Sequence, residues 1–138
     1  MALDDLEQVA FASVAVTATA LHETAGGEVT FLGWRALVVL GAAGHPLRTS
    51  ELGGRLALSK PSVSRLVRRL ERHGLIALAA DPVDRRIQLV ELSEKGSELR
   101  AAVVSRRRDL LAAALVEPVP TSFADGLAAI ARRLGPWI

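Results

Sequence analysis

The run from Ser59 to Gly74 constrains the fold more than any other stretch, because it marks one short helix at both ends. The Ser59 hydroxyl can cap the start by accepting from an otherwise unpaired backbone N–H. Pro61 falls in the first turn, where a missing N–H costs nothing. Gly74 stands where a left-handed C-terminal residue is wanted. Between them Val63, Leu66, Val67 and Leu70 recur at i, i+3, i+4 and i+7 and form one apolar stripe. The other face carries Arg65, Arg68, Arg69 and Arg72, with Lys60, Ser62 and Ser64 near its N-terminus. A helix anchored by such a stripe can present Arg and Ser to base edges and phosphates in a DNA major groove. A solvated surface helix satisfies the same pattern, so the neighbouring segments have to decide.

Upstream, Thr49 to Leu56 reads as a helix with Leu52 and Leu56 facing inward, weakened by Gly53 and Gly54 at about 1 kcal/mol each relative to Ala. Ala57-Leu58 then turns the chain into the basic helix. A helix, a tight turn and a second, basic helix make a helix-turn-helix. Downstream, Leu75–Leu78 and Ile87–Leu92 have strand character and flank the turn-rich Asp81-Pro82-Val83-Asp84-Arg85-Arg86, which predicts a β-hairpin wing with a basic tip.

The remaining segments are helical. Residues 3–24 carry Leu3, Leu6, Ala10, Val14 and Leu21 near helical spacing, and Gly26-Gly27 ends the run. Thr30 can cap a helix over 31–43, with Leu32, Ala36, Leu37, Val39 and Leu40 as packing candidates, closed by Gly44 and Pro46. Leu47-Arg48 is a short extended piece. Ser93 caps a long helix to about Val116, Pro118 and Pro120 break it, and a last helix runs from Thr121 or Ser122 to Leu134.

The 138 residues suit one compact domain. Half are hydrophobic and only 4% aromatic, so Ala, Val and Leu must form the core. The mean hydropathy of +0.29 exceeds what a small monomer needs. The apolar run Val9–Leu21 is shorter than the roughly 20 residues of a membrane span and contains Ser13, Thr17 and Thr19. A subunit interface is the better account, with a cytoplasmic location. The absence of cysteine excludes disulfides, thiolate zinc sites and thiol redox sensing. The formal charge is only +2, but residues 60–86 hold seven Lys/Arg against three Asp/Glu, and the remainder is slightly acidic. Such a concentration is the footprint expected on a polyanion.

This order of elements resembles the MarR family of bacterial winged-helix regulators over nearly the whole chain. The most specific match is the run from Asp81 to Arg86 followed by Leu89-Val90-Glu91-Leu92-Ser93-Glu94-Lys95-Gly96. Further support comes from Thr30 with Trp34, Ser50-Glu51-Leu52, and Leu66 to Leu75. The chain departs from the family pattern at Gly53-Gly54 and at Ala57, where relatives often carry Gly.

The resemblance implies a mainly α fold with a small β-wing. It is a winged helix-turn-helix lobe over residues 30–92, with dimerisation helices over 1–25 and 93–138. It also implies a homodimer on a pseudo-palindromic operator in double-stranded DNA, acting as a repressor or, less often, an activator. Phosphates would be met by Lys60, Arg68, Arg69 and Arg72. Bases would be read by Pro61, Ser62, Ser64 and Arg65, and the minor groove by Arg86, held by Asp84 and flanked by Arg85. The competing reading of Asp84 and Arg86 is an ordinary exposed ion pair. Trp34 either lines a cleft for a small aromatic effector or is a plain core tryptophan. Trp137 is expected in the dimer base.

No enzyme constellation emerges. His22, His45 and His73 fall in different elements without metal-ligand spacing, and Gly26-Gly27 and Gly53-Gly54 lack the context of a phosphate loop, so no cofactor or metal is expected. Arg106-Arg107-Arg108 reads as a solvated, ion-paired face. The alternative of another class is a winged-helix protein–protein adaptor that does not read DNA.

Overall fold

The computed structural model describes residues 3–115 and 121–134. Helix α1 (Leu3–Ala25) leads into α2 (Phe31–Ala43), the two-residue strand β1 (Leu47–Arg48), α3 (Thr49–Arg55) and α4 (Lys60–Arg72). Strands β2 (Ile76–Ala80) and β3 (Gln88–Leu92) form the wing, followed by α5 (Glu94–Ala114) and α6 (Thr121–Leu134). Pro118, Pro120 and Trp137 lie outside the described residues.

The helix ends follow their local chemistry. Thr30 and Ser93 cap α2 and α5 by accepting from the Gly33 and Gly96 backbone N–H groups, at 3.1 and 3.0 Å. At the end of α4, Gly74 N–H donates to the Glu71 carbonyl (2.8 Å) and Leu75 N–H to the Leu70 carbonyl (3.0 Å), with Gly74 at φ +71°. This is a Schellman stop, and buried Leu70 and Leu75 supply its apolar contact.

The same stop ends α3 with an unusual residue. Leu58 N–H reaches the Gly53 carbonyl (2.9 Å) and Ala57 N–H the Gly54 carbonyl (3.2 Å), which puts Ala57 at φ +55°. The left-handed turn expected of this motif is kept although the glycine is not, at a cost of roughly 1–2 kcal/mol. Gly53 is buried inside α3 rather than a defect in it. A Cβ there would stand 3.2 Å from Val63 Cγ1, so the glycine lets α3 and α4 approach closely.

The sheet is antiparallel in the order β1-β3-β2, with Leu47 opposite Val90 and Leu78 opposite Val90 on the other side. The extended piece Leu47-Arg48 is therefore a third strand that closes the wing onto the helix-turn-helix. The first wing strand sits slightly later than Leu75–Leu78, because Leu75 is taken up by the helix stop.

The core of the lobe is Leu37, Leu47, Leu52, Leu56, Val63, Val67, Leu70, Leu75 and Val90, joined by Val103 of α5 and Ala20 and Leu21 of α1. Trp34 belongs to it and is 4% exposed. Helices α1 and α5 pack side by side, tied by the Glu23–Arg106 ion pair and by Arg107 Nη1 donating to Thr17 Oγ1 (3.3 Å). Arg106 and Arg107 thus face the N-terminal helix, the first in an ion pair and the second on a hydroxyl. Towards its N-terminus, α1 leaves Leu3, Phe11 and Val14 exposed, and Leu111 and Leu115 are exposed near the end of α5. Together with Val9, Val16 and Leu127 the α5 residues line a groove of about 400 Å³. Among the described residues no helix is long and apolar enough to cross a membrane.

Candidate nucleic-acid interface

Burial of Val63, Leu66, Val67 and Leu70 fixes the rotation of α4 and turns Arg65, Arg68, Arg69 and Arg72 outward, all four exposed. They surround a shallow concavity together with Glu71. At the N-terminus of the helix, Lys60, Pro61 and Ser64 are exposed and Ser62 is half-buried. Ser59 Oγ accepts from Ser62 N–H (3.4 Å) and donates to Ser62 Oγ (2.9 Å), which in turn accepts from Arg65 Nη2 (3.4 Å). One chain of hydroxyls therefore runs from the cap to the first arginine of the basic face.

The wing tip is built by side chains bonding their own backbone. Asp81 Oδ1 accepts from the N–H groups of Val83 (2.8 Å) and Asp84 (3.1 Å), and these bonds hold its carboxyl below the usual aspartate range. Ile87 N–H closes the turn onto the Asp84 carbonyl (2.9 Å). Asp84 then grips Arg86: Nε donates to Oδ1 (3.0 Å), Nη2 to Oδ2 (2.9 Å), and the Arg86 backbone N–H to Oδ1 (3.1 Å). The Arg86 guanidinium lowers the Asp84 pKa, and Asp84 raises that of Arg86. The Arg86 side chain remains 90% exposed. Two of its five N–H donors are used, which leaves three aimed outward in a fixed fork. Arg85 beside it is exposed, and Val83 is 95% exposed at the turn.

The expected site residues fall into two groups, one on α4 and one on the wing. Lys60 to Arg72 form one face of α4, and Asp84 to Arg86 form the tip of the wing. Arg48 is a further basic residue that the sequence pattern did not single out. It lies on β1 opposite Leu89, is exposed, and its charge helps lower the pKa of both Asp81 and Asp84. Its position beside the wing follows only from the pairing of β1 with β3. Trp34 sits in the core, and its low exposure fits packing rather than the wall of an open cleft. Among the described residues no group of three or more His, Asp or Glu could hold a metal ion.

A family model described as MarR family matches residues 28–87, the stretch that carries the helix-turn-helix and most of the wing. A probable transcriptional regulator from Pseudomonas aeruginosa shares 31% identity over 96% of this chain and 99% of its own, with a TM-score of 0.63. The chain belongs to the MarR family. RV1404 from Mycobacterium tuberculosis aligns over 96% of this chain and 90% of its own at 25% identity, with a TM-score of 0.84. A mutant of MepR from S. aureus, bound to an oligodeoxyribonucleotide, aligns over 98% of this chain and 97% of its own at 21% identity, with a TM-score of 0.69. No curated protein sequence matches the chain. MarR-family regulators are winged-helix proteins of transcription control that generally bind DNA as dimers.

Proposed function

We propose that this MarR-family chain is a homodimeric repressor that binds a pseudo-palindromic operator and that a small molecule releases. The observation that carries the reading is the joint placement of two basic elements. The outward arginines of α4 and the forked Arg86 on the wing lie on one lobe, in a charge distribution concentrated over residues 60–86. Lys60, Arg68, Arg69 and Arg72 meet phosphates, which supplies sequence-independent, salt-sensitive affinity. Pro61, Ser62, Ser64 and Arg65 face the bases of the major groove. Arg86, oriented by Asp84 and flanked by Arg85, enters the minor groove. The MepR mutant of the same fold, bound to an oligodeoxyribonucleotide, supports a nucleic-acid partner.

The second copy is suggested by the apolar residues that one chain leaves in water: Leu3, Phe11 and Val14 on α1, and Leu111 and Leu115 on α5. Dimer half-sites must lie about one helical turn apart, roughly 34 Å. A ligand that favours a different separation of the two α4 helices therefore lowers affinity for the operator. An aromatic effector acting at Trp34 has to open the core around an indole that is 4% exposed, which favours packing as the first role of Trp34.

The test is enrichment of genomic DNA fragments by the purified protein, followed by gel shifts at physiological salt. One palindromic motif, bound far more tightly than scrambled DNA, is the expected result. Equal, weak binding to all fragments, or none, replaces this reading with the adaptor.

A further inference from the structure

We propose that the cavity between the end of α2, β3 and the start of α5 binds a small carboxylate that carries a neighbouring hydroxyl or amine. The cavity measures about 300 Å³ and is lined by Leu40, Gly41, His45, Glu91, Ser97 and Arg100 among others. That volume is at the lower end of the range for small-molecule sites.

Arg100 carries the argument. It is half-buried, and its guanidinium lies against the backbone of Gly41. A Cβ at Gly41 would stand 2.6 Å from Nη1, 2.7 Å from Cζ and 2.9 Å from Nε, so only glycine admits the guanidinium there. Among the described residues the Arg100 side chain has no hydrogen-bond or ion-pair partner. The other well-placed arginines of α5 do: Arg106 holds Glu23 and Arg107 holds Thr17. A guanidinium partly withdrawn from water with its donors unused is matched best by a planar, two-oxygen anion, which it can bind bidentately.

The other polar groups select what is attached to that anion. The Glu91 carboxylate on the rim is also without a partner among the described residues and accepts from a hydroxyl or amine. His45 Nδ1 lies 2.9 Å from the Pro46 carbonyl, which can only accept, so Nδ1 carries the proton and Nε2 is left for a ligand. Leu40, Pro46 and Leu92 supply the apolar wall.

The place of the cavity makes it a control point. The start of α5 is fastened to the end of α4: Ser93 Oγ donates to the Gly74 carbonyl (2.6 Å) and Lys95 Nζ to the His73 carbonyl (2.8 Å). Gly96 packs against the Leu75 carbonyl so closely that any side chain would overlap it. Arg100 lies about one turn farther along the same helix. A ligand clamped between Arg100 and α2 therefore acts on the segment that positions the basic helix. This coupling rests on the proposed DNA-binding function, whereas binding of the carboxylate does not.

The experiment is a titration of the ¹⁵N-labelled full chain with glycolate, glycine and acetate at constant ionic strength, with chloride as control. Saturable shifts at Gly41, Gly44, Ser97 and Arg100 are expected with glycolate or glycine, and weaker ones with acetate. Gly41→Ala should displace the guanidinium and weaken binding by about tenfold, as should Arg100→Gln. Gly41→Ala is the safeguard against misfolding, because alanine is the better helix former and the atoms it meets are the flexible end of a side chain. Glu91→Ala should remove the preference for glycolate and glycine over acetate. No saturation, shifts elsewhere, or shifts that persist in both Gly41→Ala and Arg100→Gln overturn the proposal. In a parallel gel shift, saturation of the site without any change in DNA affinity overturns the coupling and leaves the site. Failure to bind any DNA fragment instead overturns the proposed function.

Discussion

Gly53 of α3 faces Val63 of α4 so closely that a methyl group would be crowded there. A Cβ on Gly53 would lie 3.2 Å from Val63 Cγ1 and 3.3 Å from Val63 Cβ. Val63 is buried and β-branched, with little rotamer freedom to retreat. The adjacent Gly54 is exposed, with nothing within 4 Å. Gly54→Ala should therefore stabilise the protein by about 1 kcal/mol through helix propensity alone. Gly53→Ala should gain no such stability and should weaken DNA binding by pushing α4 away from α3. Chemical denaturation at fixed protein concentration separates them, and equal stabilisation by both would refute the close-packing role of Gly53.

The grip of Asp84 on Arg86 depends on the ionised Asp84 carboxylate. The Arg86 hydrogen bonds depress the Asp84 pKa. A depressed folded-state pKa means that the interaction contributes fully above the ordinary aspartate pKa and is lost as pH falls through the depressed value. The side-chain carboxyl of Asp84, followed by carbon-13 NMR, should titrate below the usual aspartate range and return towards it in Arg86→Ala. An Asp84 midpoint that is the same in both proteins would show the pairing to be absent in solution.

Three arginines should fail in different ways. Arg65→Ala should cost ~1–3 kcal/mol on the operator and relax preference at one position per half-site. Arg86→Ala should mainly reduce preference for a narrow, A·T-rich minor groove. Arg72, near the C-terminal end of α4, should on removal weaken all sequences alike and flatten the salt dependence by about one unit for each phosphate left without its cation. Binding to operator and scrambled DNA at several salt concentrations tests this, and proportional losses in all three mutants would contradict the assignment of roles.

Phe11 is 74% exposed and Val14 55% exposed on one chain, apolar surface on α1 that a second chain can cover. Phe11→Asp with Val14→Asp should convert a dimer to a monomer while leaving the winged lobe folded, because neither side chain enters its core. Light scattering at micromolar concentration reads the change. A wild-type chain that is already a folded monomer would remove the basis for a palindromic operator.

Local chemistry was sufficient for the helices and the wing turn. Caps at Thr30, Ser59 and Ser93, the glycine stop at Gly74 and the stripe from Val63 to Leu70 act within a few residues of themselves, so they can be read in order along the chain. Asp84 and Arg86 are two residues apart, and their pairing follows from the turn they share. Other features depend on segments far apart in sequence. Leu47-Arg48 becomes a strand only because β3 accepts it, and that pairing brings Arg48 beside the wing. Gly53 looks like a weak helix position until α4 arrives against it. Trp34 has the same helical spacing whether it lines a cleft or fills a core, and only packing of the lobe buries it. The pattern of residues records which local conformations are cheap, whereas contacts between distant elements are decided by how their faces close on one another. For that reason the basic helix was legible from its own sixteen residues, from Ser59 to Gly74, and the seat of Arg100 over Gly41 was not.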